Sequence, residues 1–474
     1  MKALHIAIPS IFGLLLAGCA GMSGIAPQSS IRDANTLDAG RTITSAPRIK
    51  WPKNAWWKAY HDPQLNDLVT QAVSGSPTLH NAKARVALAQ AFADSRGSAA
   101  APQIGVDASS LRERFTALQF IPPPWGGHTD WNNSITATLS YDLDLWGRLK
   151  SGWQASVDEA RASAAEEQQI RLELESAVVQ SYVGLAMAFS LRDIAQEHLA
   201  QLEQRSAIER RRLAAGMGTQ MAVTEVETRL PVAQARIEEI DAHIMVLKNQ
   251  LAALAGKGPG SGESITRPKM TLDSPLGLPD VLPANLVGKR PDIVACLWRI
   301  EAAKNNIKAA KAAFYPNINL VAFAGFQALG FGQLASNAAA LAGAGPAFSL
   351  PIFDGGHLRA GLSASTAGYD IAVETYNETL VRALEQVSDT LVLLQSEFGQ
   401  GEKTEKALAQ AEKAHEFALA GYRAGLSNYR HALDTYDLVL EQQESLAKIR
   451  TARLEAYAAL MLALGGGSSG DSTQ

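Results

Sequence analysis

The spacing of apolar and polar positions changes in a fixed order along this chain. From Pro77 to about Ala100, and again from Pro291 to about Phe314, alanine-rich sequence opens on proline and stops before Pro102 or Pro316, which predicts two helices. Between Trp131 and Asp144 the period becomes two. Ile135, Ala137, Leu139, Tyr141 and Leu143 alternate there with Ser134, Thr136, Thr138, Ser140 and Asp142, a strand with one apolar and one polar face. Weaker alternation over 102–115, 316–327 and 344–353 gives two strands in each half, joined by irregular loops over Thr116–His128 and Ala328–Ala342. Between Gly147 and Gly216, and between Gly356 and Gly425, nothing stronger than an isolated glycine intervenes. Helices over 147–213 and 356–423 follow, each about 100 Å long at 1.5 Å per residue. Return helices over 219–255 and 427–464 carry apolar seams at alternating three and four, such as Val223, Val226, Leu230, Ala233, Ile237 and Ile240, the spacing of coiled-coil packing. Pro231 interrupts the first seam and is expected to kink that helix.

The same punctuation appears twice. Pro77 and Pro102 return as Pro291 and Pro316, an offset of 214, and Leu143 to Gly152 returns as Ile352 to Gly361 at an offset of 209. Leu213-Ala214-Ala215-Gly216-Met217 against Tyr422-Arg423-Ala424-Gly425-Leu426 keeps the second offset. The chain therefore reads as a duplication of helix, strand, strand, long helix, return helix. Repeat 1 covers 61–256, a Gly, Pro and Ser-rich linker 257–283, repeat 2 284–465 and a flexible tail 466–474.

Residues 1–18 read as a signal peptide, with Lys2 before an apolar stretch from Leu4 to Ala17 too short to span a bilayer. It ends in Leu16-Ala17-Gly18-Cys19, which resembles a bacterial lipobox and makes Cys19 the first residue of a lipidated segment, 19–60. A covalent N-terminal lipid, N-palmitoyl and S-diacylglycerol on Cys19, is the expected modification, because stable anchoring needs more than one acyl chain. Ala20 and Gly21 lack the aspartate that retains such lipoproteins at the inner membrane. Cys296 is the other cysteine, so the processed chain forms no internal disulfide, and its apolar helical setting predicts a buried thiol. With 43 Lys and Arg against 47 Asp and Glu the charge is −4, and nothing in it points to nucleic acid. Beyond the signal no uninterrupted run of eighteen apolar residues occurs, so a helical membrane span is not expected. A Walker loop, a metal-spaced His or Cys pair and a G-x-S-x-G motif are missing from the sequence; neither an enzymatic nor a cofactor role is expected.

Trp125, Trp131, Trp146, Phe314, Tyr315, Phe348 and Phe353 flank the strands, as interfacial aromatic girdles do. A membrane-inserted sheet cannot leave edges open in lipid, so four strands require copies, and eight, twelve or sixteen strands all satisfy that demand.

Asp62-Pro63-Gln64-Leu65, Tyr141-Asp142-Leu143-Asp144-Leu145-Trp146-Gly147-Arg148, Lys289-Arg290-Pro291-Asp292-Ile293, Leu350-Pro351-Ile352-Phe353-Asp354-Gly355-Gly356 and Ala463-Leu464-Gly465-Gly466-Gly467 together resemble the TolC/OprM superfamily, in its NodT (FusA-like) lipoprotein branch. The resemblance covers essentially the whole processed chain. It implies a mainly α fold with a membrane β-barrel: a homotrimer whose twelve strands form an outer-membrane barrel, continued by a twelve-helix periplasmic α-barrel through a mixed equatorial region. It also implies the exit duct of a tripartite efflux system, with a periplasmic adaptor (membrane fusion protein), an inner-membrane transporter and outer-membrane lipid as partners, and drugs, dyes, detergents or aromatic acids as cargo. The helix tips Gly216, Met217 and Gly218, and Gly425, Leu426 and Ser427, would dock the adaptor. Asp434, nine residues inside the second tip, matches the place of an acidic ring at the closed entrance. Its counterpart at the 209 offset is Glu225, and His431, one turn earlier, would make that gate pH-sensitive.

Overall fold

The computed structural model describes residues 21–38, 40–44, 51, 54–118, 126–272 and 288–467. Cys19, Trp125 and the end of the tail lie outside these residues. Two compact units emerge, Met1–Ile31 with Arg85–Ser163 and Ala295–Tyr376, and Arg32–Ala84 with Ala164–Val294 and Asn377–Gln474.

The main elements are α1 (Pro63–Gly75), α2 (Pro77–Ser98), β1 (Gln103–Arg114), β2 (Thr129–Asp142), α3 (Arg148–Ala214), α4 (Gln220–Leu254), α5 (Pro291–Ala312), β3 (Asn317–Leu329), β4 (Ala340–Ser349), α6 (His357–Arg423) and α7 (Tyr429–Ala463). The two long helices are both 67 residues and the two return helices both 35. α4 runs through Pro231 without a break.

In the first unit the strands form one antiparallel sheet in the order β1-β2-β3-β4. β4 is displaced furthest from its expected range, ending at Ser349 rather than reaching 353. Pro351 has no N–H to donate, and Phe353 beyond it is 92 % exposed outside the ladder. The strand gains residues at its other end instead, where Ala340 pairs with Phe326, and this shortens the expected 328–342 loop to 330–339. β2 likewise starts earlier, at Thr129, and stops at Asp142, because Asp144 turns into the left-handed region (φ 43°).

In the second unit α1 is held by the Asp62 carboxylate, which accepts from Gln64 N (2.9 Å) and Leu65 N (3.3 Å) while Pro63 occupies the first helical position. The other Asp62 oxygen accepts from Tyr182 Oη (2.9 Å) on α3 and from Lys269 N (2.8 Å). Arg290, buried just before α5, makes two bonds to Asp292 and reaches the Ala463 carbonyl (3.0 Å) at the end of α7. A Cβ on Gly465 would lie 2.6 Å from the Lys289 carbonyl, so this glycine is required by close backbone approach. α3 contains one eighteen-residue window with mean hydropathy 1.3, sufficient in composition for a membrane span, but 56 % of it is buried in the protein. Val178, Val179, Tyr182 and Leu185 of α3 are core residues.

Candidate functional site

Register and side-chain parity sort the sheet into two chemically different faces. On one face the rows read Ile104-Leu139-Ala322-Ala344, Val106-Ala137-Ala324-Ala342 and Ala108-Ile135-Phe326-Ala340, without a polar side chain. On the other, Gly105-Thr138-Phe323-Gly343 and Asp107-Thr136-Gly325-Leu341 adjoin Ser109, Ser134 and Gln327. Although one protomer leaves both faces largely exposed, with Ile104 at 76 % and Val106 at 69 %, only the polar one is suited to water. The four carboxylates of the strands, Asp107, Glu113, Asp130 and Asp142, are all on the polar face, where no strand places Lys or Arg. Phe323 is the aromatic exception, lying over Gly343, where a Cβ would meet its ring at 2.7 Å.

Aromatic side chains bound the apolar face at both ends. At the helix end, Trp146 stacks on Tyr315 (4.7 Å) and donates through Nε1 to the Pro316 carbonyl (2.8 Å), and Phe348, opposite Ile318 in the ladder, is 67 % exposed. At the loop end Trp131 packs against Phe331 (5.5 Å). Tyr141 and Trp131 are ten positions apart on β2, about 34 Å along a strand, or about 26 Å of height at a tilt near 40°. That is the height of an outer-membrane hydrocarbon band.

In the second unit, each long helix turns into its return helix by the same device. Gly216 and Gly425 adopt left-handed backbone (φ 72° and 73°), which lets Met217 N reach the Arg212 carbonyl (2.9 Å) and Leu426 N reach that of Gly421 (2.9 Å). The return helices are capped by Thr219, accepting from Ala222 N (3.2 Å), and Asn428, accepting from His431 N (3.0 Å). A Cβ on Gly218 would lie 2.9 Å from Leu213 N, so the first turn also tolerates no side chain there. Two large apolar groups are left exposed, Met217 at 70 % and Leu426 at 85 %, with Ser427 beside the latter.

The carboxylates read from the sequence as a gate are not bare. Asp434 on α7 faces Arg205 Nη1 of α3 at 3.8 Å; Arg205 is 5 % exposed, and its buried Nε has no hydrogen-bond partner. Glu225 on α4 lies 3.6 Å from Arg430 and 3.8 Å from Arg229. His431 is exposed. The residues that sequence reasoning missed are the bases and the hydrogen-bonding groups around α7. Tyr436 donates to Glu197, and burial, with that carboxylate, pushes its phenol well above the usual range. His198 Nε2 is 3.8 Å from Asp437, and His415 Nδ1 lies 2.8 Å from the Ala432 carbonyl. The partners come from α3, α4 and α6, up to 239 residues away in sequence, and no local spacing signals them.

The sequence profile described as outer membrane efflux protein matches residues 68–257 and 282–466, one segment in each half. This chain belongs to the outer membrane efflux protein family. It is 44 % identical over 363 residues to the fusaric acid resistance protein FusA of Burkholderia cepacia, covering 75 % of this chain and 68 % of that one. It is 28 % identical to the multidrug resistance outer membrane protein MdtQ of an Escherichia coli O6:H1 strain, over 96 % of both chains. The crystal structure of the outer membrane protein VceC from Vibrio cholerae superposes with a TM-score of 0.82 at 32 % identity, covering 88 % of this chain and all of that one.

As a member of the outer membrane efflux protein family, the chain is an outer-membrane efflux channel, and its fold is that of TolC-type channels. Members of this family are channels rather than enzymes. In such a channel the apolar face is the one suited to lipid and the polar face the one suited to a water-filled lumen.

Proposed function

We propose that three copies of this chain close one twelve-stranded barrel and that the duct receives its cargo from a periplasmic adaptor and an inner-membrane transporter. The observation that carries this reading is the open sheet: β1 and β4 each have one neighbour, so one side of each ladder lacks partners in the protomer. In lipid those backbone groups cost several kcal/mol each, and pairing β1 of one copy with β4 of the next removes the cost. A mass measurement on detergent-extracted, unboiled protein tests it. A heat-modifiable trimer is expected, and a monomer or dimer retaining the sheet overturns the assembly.

The lipid anchor on Cys19 belongs to the same reading. In its support, Gly21 and Ser23 offer their carbonyls to Arg359 at the start of α6, and Gln28 N and Ser29 N donate to Asp370 (both 2.9 Å). These bonds hold the residues just after Cys19 beside the helix that follows β4, close to the aromatic rim where acyl chains would enter the membrane. Cys19→Ser is expected to abolish incorporation of radiolabelled palmitate while leaving some efflux, since barrel closure also retains the protein. Label retained in that variant rejects the lipidated cysteine.

The exposed Met217 and Leu426, each beside a turn glycine that permits close approach, would be the contacts with the adaptor. Asp434 and Glu225, with His431, would form the closed entrance, held by Arg205 and Arg430. Fusaric acid, named for the 44 %-identical relative, is the first cargo to assay, by growth of a deletion strain with and without this gene.

A further inference from the structure

The strands contain two arginines, and both are on the apolar face. Arg112 and Arg114 share the parity of Ile104, Val106 and Ala108, and the register is continuous from Gln103↔Ser140 to Arg114↔Thr129, with no bulge to turn them over. Arg112 is directly opposite Trp131, the outer-rim aromatic, and Arg114 is one layer farther from the helices. Both are exposed. Neither makes an ion pair with a described residue, although carboxylates are close in sequence: Glu113, between them, points to the polar face and accepts from Asn132 Nδ2 (2.9 Å). The polar groups one layer inward satisfy each other, Ser110 Oγ donating to Asn133 Oδ1 (2.7 Å) and Asn133 Nδ2 to the Gly330 carbonyl (3.0 Å). Among the described residues, the two guanidinium groups are therefore cations of this rim without a carboxylate partner.

Their height decides what can match them. At the middle of the band an arginine costs roughly 2–4 kcal/mol, whereas near the interface the cost falls to about 0–1 kcal/mol. Arg112 lies at the aromatic girdle and Arg114 beyond it, at the level of lipid headgroups. A guanidinium presents a planar fork of donors that fits two phosphate oxygens, and it is more weakly hydrated than an ammonium. We propose that Arg112 and Arg114 form a binding site for the phosphate groups of anionic lipids in the outer leaflet, Trp131 packing against the same lipid below its headgroup. The site rests on the outer-membrane barrel and adds a specific lipid contact to it.

The full-length protein in non-ionic detergent, given a bisphosphorylated diglucosamine lipid or its enzymatically dephosphorylated form, tests this by native mass spectrometry. Wild type is expected to retain the phosphorylated lipid about tenfold better than the dephosphorylated one, the size of effect expected of charge-assisted phosphate contacts. Arg112→Gln with Arg114→Gln should lower it to the dephosphorylated level, and Arg112→Lys with Arg114→Lys should keep part of the preference. Lys413→Gln, an exposed change on α6, should leave it unchanged. Unboiled gels verify assembly, and the two single glutamine variants replace the double one if it does not assemble. Equal retention of both lipid forms by wild type, or unchanged retention by the assembled glutamine variants, overturns the proposal. Displacement of the lipid by millimolar inorganic phosphate also overturns it, as a free-phosphate site. Failure of the barrel itself would be seen separately, as wild type that neither binds either lipid nor shows heat modification.

Discussion

The two halves of the chain begin their long helices on the same chemistry by different backbones. In repeat 1 the Asp144 carboxylate accepts from Leu149 N (2.9 Å) and Lys150 N (2.8 Å), and Asp144 itself has φ 43°. In repeat 2 Asp354 accepts from Gly356 N (2.9 Å) and Leu358 N (2.7 Å), while the left-handed positions fall to Gly355 and Gly356. Both halves put a left-handed glycine just before the helix, Gly147 (φ 72°) and Gly356 (φ 89°); the first half adds Asp144, held in place by its bonds and supported by Arg148 on Asp142 (2.9 Å), where the second adds Gly355 (φ 65°), which has no Cβ to clash. The strands diverge further: β1 and β2 carry every charged side chain of the sheet, and β3 and β4 carry none. Duplication preserved lengths and turns, and left one half to specialise in charge and the other in small and aromatic surface.

The largest test of this comparison is at the tips, where the halves are most alike. Gly425→Asp is expected to reduce efflux to the level of a deletion strain while unboiled gels still show the assembled oligomer, and Gly216→Asp to do the same if both tips dock. Wild-type resistance in either variant assigns docking to the other half alone.

Next comes the sheet. Ala324→Arg puts a charge in the middle of the apolar face and should destabilise each protomer by about 2–4 kcal/mol, whereas Thr138→Arg, on the polar face, should be close to neutral. Denaturant midpoints of the reconstituted protein read the difference, and equal loss in both variants would mean that the assignment of faces is wrong.

The helix starts predict smaller effects. Asp144→Ala should cost about 1 kcal/mol, the usual loss of a helix-capping carboxylate, seen as faster hydrogen exchange at Leu149 and Lys150. Asp354→Ala should raise exchange at Leu358 in a pH-dependent way. The N–H groups of Leu358 and Gly356 hold the Asp354 carboxyl below its usual range. Its stabilisation is therefore fully present above the ordinary carboxylate pKa and is lost as pH falls through the lowered value. Below that value wild type and variant should exchange alike.

Least change in stability is expected from Asp434→Ala, since its carboxylate is half exposed and such pairs contribute about 0–1 kcal/mol. Its effect should be on conduction: planar-bilayer recordings are expected to show weaker cation selectivity and less block by a trivalent cation, with Glu225→Ala following in smaller degree. Unchanged selectivity and block in Asp434→Ala would remove it from the entrance.

The sequence alone determined what depends on local period and on residues that constrain their own backbone. Alternation in β2, the proline-opened α2 and α5, and glycines at 216 and 425 place elements within a few residues, because side-chain parity, ring closure and the left-handed region act at the residue itself. The end of β4 was not, since an Ala-Gly-Ala-Gly-Pro stretch has little periodicity and its extent is set by pairing with β3. Helix α1 escaped notice although its Asp62-Pro63 start was in view, because a single helical turn signal competes with many turns of the same composition. Only the tertiary structure decided that Asp434 faces a buried Arg205, that Tyr436 reaches Glu197, and that Arg112 and Arg114 stand at the outer rim without a carboxylate. Those relations join residues brought together by the packing of separate helices or by the register between strands, and electrostatic partnership depends on distance in space, which spacing along the chain does not encode.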